Sequence, residues 1–486
     1  MSIIIYMHTS SIGDGTLKQT KYNLNYLIIT IYVLAFLFFV FKMFFYSEFV
    51  TGFPDEIQHI SYIAYLEKTN AIIPNFKDMT VLQPITDNSF NIGSMTSVAK
   101  NFTFSSSFNY LCHPPLYYDI MRLSGGVTIT NNIVSVNIFR LRLFNIILSS
   151  IAMLIVLYIG YTRIRKNPLL HLLYSAIAIS VPMLAFDSAG VNNDTLAFIG
   201  VSIFILGLLR LAEKNRTLKT FIVISIGVFL AFLAKLTAGL IVLLAMIIFL
   251  IITIVKERNL KFLLSKSFLV TTPVYLVIAA YYMMVRLQTG SILPGFRLLS
   301  PEQFYKSTFY VPVVARVHMN FIQYSTYYIG SFLRTWTGIA SAVSLLKVGS
   351  IFSFGNIALF SLLILPILLL FSLKRNNKNM PIIYASISVY LALVISATIQ
   401  WLKAYDEYVH ISGYLGAYQS RYYLCGISAL ALAITYVVDN LIYGNNKKSG
   451  LFKYKKTLLY SICIIFIALL FYEDFIYFLI HFKDYI

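Results

Sequence analysis

Long unbroken apolar runs, rather than alternating or heptad patterns, organise this chain. The first, Leu24 to Tyr46, has 20 apolar residues out of 23. A membrane-spanning helix needs about 20 such residues. The run is too long for a signal-peptide core, and no small-residue cleavage site follows it, so it reads as an uncleaved first span. Further runs lie at 139–161, 168–186, 195–211, 219–234, 236–255, 265–285, 351–373, 381–400, 422–443 and 457–479. Together they predict eleven spans, with 115–128 as a candidate re-entrant or interfacial helix.

Composition agrees with that pattern. The 486 residues are 58% hydrophobic and 12% charged, whereas soluble domains are about 45–50% apolar and about 25% charged. Mean hydropathy is +0.76. A soluble enzyme, a disordered chain and a disulfide scaffold are excluded. The fold class is an all-α polytopic membrane protein. Cys425 and Cys463 fall in apolar runs and Cys112 stands alone in a loop, so no metal or disulfide framework is indicated.

The net charge of +19 would suggest nucleic acid in a soluble protein. Its distribution gives another reason. With the N-terminus in the cytoplasm and sides alternating, 21 of the 38 basic residues fall on the inner side with only four of the 19 acidic ones. This is the positive-inside pattern, and it needs no nucleic acid. The chain then divides into a cytoplasmic tail (1–23) and a transmembrane module (24–285) that contains an outer loop at 47–138. A second outer loop (286–350) and C-terminal transmembrane helices (351–486) follow. The long outer loops are expected to carry short helices and function.

Polar clusters concentrate on that outer side. The first is Pro54-Asp55-Glu56-Ile57-Gln58-His59. It suits a helix start, with His59 sharing a face with the acids. A carboxylate there can also act as a general base. The second is His113-Pro114-Pro115-Leu116-Tyr117-Tyr118, a helix entry or aromatic belt that can equally meet a ligand headgroup. Asp187 and Asn192-Asn193-Asp194 form the third, as helix caps or as part of a polar pocket. Lys235 is the one charge between 220 and 255, either snorkelling to the surface or holding a phosphate. Arg421, in Gln419-Ser420-Arg421-Tyr422, can pair with an acid or bind phosphate in a fork. Trp336 is a candidate sugar-stacking surface or an interfacial anchor.

Taken in order, these motifs resemble the GT-C superfamily of membrane glycosyltransferases, in particular bacterial members that use polyprenyl-phosphate sugars. The resemblance runs from about residue 50 to 425. It implies inverting transfer of a sugar to an acceptor hydroxyl on the periplasmic side of the bacterial inner membrane. Asp55 or Glu56 would be the base. Lys235 and Arg421, with His113 and Tyr118 beside them, would hold the donor phosphate. His59, Asn193, Asp194, Trp336 and Tyr422 would line the substrates. No cofactor is required, and a divalent metal is not obligatory because phosphate leaves as a monoester. The overall character is also similar to phage-encoded glucosyltransferases that modify O-antigen and convert serotype. That likeness implies undecaprenyl-phosphate glucose as donor and a lipid-linked O-antigen unit as acceptor. An O-antigen polymerase or ligase is an alternative, although the early acidic motif has no evident role there. A flippase for lipid-linked saccharides is the other, but it should place its ionisable groups near the bilayer midplane.

Overall fold

The computed structural model describes residues 14–50, 52–85, 92–258, 260–340, 343–344, 380–443, 451–476 and 479–480. The spanning helices relevant to function are α1 (Asp14–Phe49), α4 (Ile138–Arg163), α7 (Asp194–Ala212), α9 (Leu236–Glu257) and α10 (Thr272–Thr289). Later in the chain come α12 (Met380–Glu407), α13 (Ile427–Tyr443) and α14 (Leu451–Phe471). A bent pair, α5 (Pro168–Ile179) and α6 (Pro182–Ala189), meets at 53°. Shorter helices are α2 (Glu56–Thr69), α3 (Leu116–Arg122), α8 (Leu218–Ala234) and the amphipathic α11 (Phe321–Arg334).

Among the described residues eight helices are long and apolar enough to cross a membrane, or nine if the bent pair counts as one span. The expected eleven are therefore not reached. The run at 219–234 forms the 17-residue α8, short of a standard span. The run expected at 351–373 lies outside the described residues. Over their described residues the other expected runs are mainly helical.

The 168–186 run breaks for a local reason. Pro182 opens α6, has no N–H to donate, and cannot continue the helix through Val181. The break leaves the Ile179 carbonyl without a helical partner, and Lys42 of α1 donates to it at 2.6 Å. The same ammonium pairs with Asp474, in the π-turn after α14; both side chains are fully buried. Ammonium and carboxylate inside a bundle are costly unless each satisfies the other. This pair joins the first span, the last and the break between them. Neither residue was singled out by the sequence pattern, because a single Lys in a 23-residue apolar run does not disrupt it.

α7 and α8 form a close antiparallel hairpin. A Cβ at Gly200 would meet the Ala231 backbone, and one at Gly227 would meet the backbone of Phe204. Small residues at such crossings let backbones approach in a membrane. This contact brings the start of α7 level with the end of α8, so Asn193 donates to the Ala234 carbonyl at 2.8 Å.

The loop after α1 was expected to hold short helices. It contains α2 and α3, but also an antiparallel sheet in the order β1-β2-β4-β3. Its strands are Thr80–Pro84, Lys100–Phe108, Val127–Thr130 and Ile133–Val136. Phe102 points inward from β2 and pairs in register with Pro84 and Val134. Ser61 of α2 accepts the Leu82 N–H at 2.9 Å, which fixes the sheet on the helix. At the opposite end of the bundle three scarce acids take arginines: Glu213 with Arg163, Glu257 with Arg216, and Asp439 with Arg165.

Candidate active site

Five charged side chains converge where the spans meet the loop that holds the sheet. Asp55 ends the connection from α1 and precedes α2. Asp187 lies near the end of α6, and Asp194 opens α7. Lys235 occupies an extended residue between α8 and α9. Arg421 comes from the 3-10 helix Ser420–Gly426 that leads into α13.

Arg421 is the hub. Its Nη2 donates to Asp55 Oδ2 at 2.6 Å. Nη1 lies 3.5 Å from Asp187 Oδ1, and Nε lies 3.9 Å from Asp194 Oδ2. Only 3% of the side chain is exposed. Lys235 Nζ donates to Asp194 Oδ1 at 2.6 Å and sits 4.1 Å over the ring of Tyr422. Tyr422 also faces the Arg421 guanidinium at 5.4 Å, so its ring is shared by both cations. The break between α8 and α9 is what allows Lys235 to reach inward. Its backbone is extended, at φ −161° and ψ 130°.

Asp55 is the accessible carboxylate, with 29% of its side chain exposed. Tyr110 donates to its other oxygen at 2.6 Å. Burial opposes its charge, but Arg421 and the Tyr110 hydrogen bond outweigh that and hold the carboxyl down at about 2. Its backbone is left-handed, φ 58° and ψ 16°, a conformation that Asp and Asn tolerate better than most residues.

Glu56, paired with Asp55 as a base candidate, is placed differently. Both its oxygens accept from Arg142 of α4, at 2.9 and 2.7 Å, and Oε1 also accepts the Val191 N–H at 3.0 Å. Arg142 is fully buried, donates to the Ser47 carbonyl and stacks on Phe53. Glu56 is thus held in a buried ion pair, with both oxygens occupied by protein donors.

The other expected residues divide between the site and its supports. His59 Nδ1 and the Tyr118 hydroxyl are 3.0 Å apart, and the His59 and His113 rings lie face to face at 6.5 Å. Tyr118 stacks on Tyr62 at 3.8 Å, and Tyr62 donates to the His113 carbonyl. Burial pushes both imidazoles below the ordinary range, His113 to about 3, so both are neutral near pH 7. These groups wall the charged cluster as a neutral aromatic layer. Asn193 binds backbone, as described, while its amide oxygen is buried without a hydrogen-bond partner. Among the described residues Trp336 makes no hydrogen bond with the carboxylates. It lines an apolar cavity of about 340 Å³ with Phe332, Tyr390, Tyr423 and Leu424, and its indole N–H has no hydrogen-bond partner.

Tyr110 and Arg142 were not anticipated. Nothing in the sequence distinguishes Tyr110 from 35 other tyrosines. Arg142 had a signal: it lies in the first turns of a span, next to the loop side, where the charge bias gives it no role.

Residues 113–284 match the family described as dolichyl-phosphate-mannose-protein mannosyltransferase. No curated protein matches the chain. The crystal structure of ArnT from Cupriavidus metallidurans bound to undecaprenyl phosphate is similar at 10% identity and a TM-score of 0.45, covering 92% of this chain and 77% of that one. The apo structure of the same ArnT gives 14% identity and a TM-score of 0.35, covering 91% and 76%.

Proposed function

We propose that this chain, which matches that mannosyltransferase family over residues 113–284, is an inverting membrane glycosyltransferase. It moves a sugar from a polyprenyl phosphate to an acceptor hydroxyl. The observation that carries the reading is the cluster itself: two nearly buried cations and three carboxylates at one membrane face, beneath a structured loop. Cations at that level suit a lipid phosphate, whose headgroup lies where the apolar chain ends. The working assignment is undecaprenyl-phosphate glucose as donor and a lipid-linked O-antigen unit as acceptor, at the periplasmic face of the inner membrane. No divalent cation is required.

The chemistry follows from charge. As the glycosidic bond breaks, negative charge grows on the leaving phosphate, and Lys235 and Arg421 stabilise it. Asp55 takes the proton of the attacking hydroxyl on the opposite face of the sugar. In the resting site Arg421 holds Asp55 ionised but weakly basic. Phosphate that engages Arg421 competes for the same guanidinium, which raises the proton affinity of Asp55 when the donor is seated. The aromatic layer of His59, Tyr118 and Tyr62 excludes water beside the reaction.

The test is transfer by purified protein supplied with undecaprenyl-phosphate glucose and a lipid-linked O-antigen fragment. Transfer by wild type, lost in Asp55→Asn, supports the reading. Folded protein that consumes no polyprenyl-phosphate sugar overturns it.

A further inference from the structure

The charges at the site do not balance, and the imbalance grows when a phosphate arrives. When all three are ionised, Asp55, Asp187 and Asp194 set three negative charges against the two positive ones of Arg421 and Lys235. The nearby imidazoles of His59 and His113 add no positive charge. Glu56 and Arg142 cancel one another behind the cluster. A phosphodiester donor adds another negative charge and competes with the carboxylates for the same two cations. Uncompensated charge in a site this enclosed is costly, and a carboxyl group relieves it by taking up a proton.

The three carboxylates are not equally able to do so. Asp55 keeps the Tyr110 hydroxyl, and Asp194 keeps Lys235 at 2.6 Å and is the first residue of α7, where the helix dipole favours an anion. Asp187 has neither. Its Oδ1 is buried without a hydrogen-bond partner, and its nearest cation is Arg421 Nη1 at 3.5 Å. The titratable and charged groups that face it are Arg421, Asp194, Lys235 and Tyr117. Asn192 meets Asp187 at its backbone carbonyl, not its carboxylate.

We infer that Asp187 takes up one proton when a polyprenyl phosphodiester seats on Arg421 and Lys235, so that donor binding is proton-coupled. The proton comes from solvent, the one bond formed is O–H on Asp187, and the proton returns to solvent when the ligand leaves. Asp55 stays ionised and available to the acceptor hydroxyl. The inference rests on the reading of Arg421 and Lys235 as the phosphate seat.

Calorimetric titration of the detergent-purified full chain with methyl farnesyl phosphate tests this. The probe is a phosphodiester whose single charge does not titrate near neutral pH. Measurements in buffers of different ionisation enthalpy give the protons taken up per ligand. On the alkaline side, where Asp187 starts ionised, wild type should take up close to one, with affinity falling up to tenfold per pH unit. Asp187→Asn should take up none, bind at least as tightly and lose the pH slope. The wild-type slope needs no variant, so a folding defect in Asp187→Asn leaves a result. Binding with no proton uptake, uptake unchanged in Asp187→Asn, or binding that needs added Mg²⁺ in place of a proton would each overturn the inference alone. No binding at all would overturn the phosphate seat on which it rests.

Discussion

Asp55 and Arg421 lie 366 residues apart in sequence and meet at 2.6 Å. That bond ties the first loop to the start of α13. It also gives the candidate base and a candidate phosphate ligand one shared contact. On the proposed reading, catalysis and donor binding are coupled through a single guanidinium.

Replacement of Asp55 by Asn should lower transfer about 10²- to 10⁴-fold, the usual share of a general base. Expression should stay close to wild type, and melting temperature should fall only by the modest share of the Arg421 contact. Glu56→Gln should behave in the opposite way. It weakens the buried pair with Arg142, so thermal stability in detergent falls while residual turnover per folded molecule persists. Equal losses of turnover per folded molecule would return Glu56 to the chemistry.

Arg421→Lys should not rescue Arg421→Ala. One ammonium cannot reach three carboxylates spread around the fork of a guanidinium. Both variants should bind polyprenyl phosphate at least tenfold more weakly. Donor affinity by calorimetry decides; wild-type affinity in Arg421→Lys would make the fork irrelevant.

The acid range should expose the Asp55 contact. Its folded-state pKa is held down at about 2, below the ordinary value of about 3.9 for a free aspartate. Stability from the contact is thus fully present above about pH 4 and lost as pH falls toward 2. The melting-temperature gap between wild type and Asp55→Asn should be flat from pH 5 to 8 and close only below pH 4. A gap that closes near neutrality would contradict the assignment.

Lys42 and Asp474 should behave as a unit. Lys42→Met or Asp474→Leu alone strands a buried charge and should cost about 3–5 kcal/mol. The double variant should recover most of the loss, because an apolar pair of similar volume often replaces a buried ion pair at no cost. Melting of all four proteins in one detergent completes the cycle; additive losses would show that the two residues do not act together.

Much of this molecule could be read from its residues, and the rest could not for identifiable reasons. Apolar runs located the helices because hydrocarbon imposes one requirement on every span. Charged residues near span ends pointed to Asp55, Lys235 and Arg421, since charge at those places needs a reason. Periodicity does not report partners, so Arg142 claimed Glu56 and Tyr110 reached Asp55 without warning. The sheet of the first loop was missed because its strands are short, and β2 carries a Ser-Ser-Ser stretch where apolar alternation should be. Trp336 is a candidate sugar platform or interfacial anchor by residue type alone; just after α11 it lies against aliphatic and aromatic neighbours.

The left-handed backbone at Asp55 also limits what a mutational survey of that position can mean. Gly and Asn fit φ 58° with little strain, whereas most larger side chains, and β-branched ones above all, resist it. A saturation library would therefore sort first by backbone tolerance and only then by chemistry. Asn alone matches aspartate in both shape and conformation, so it isolates the charge. Glu would restore the carboxylate and forfeit the turn, and its failure would say nothing about proton transfer.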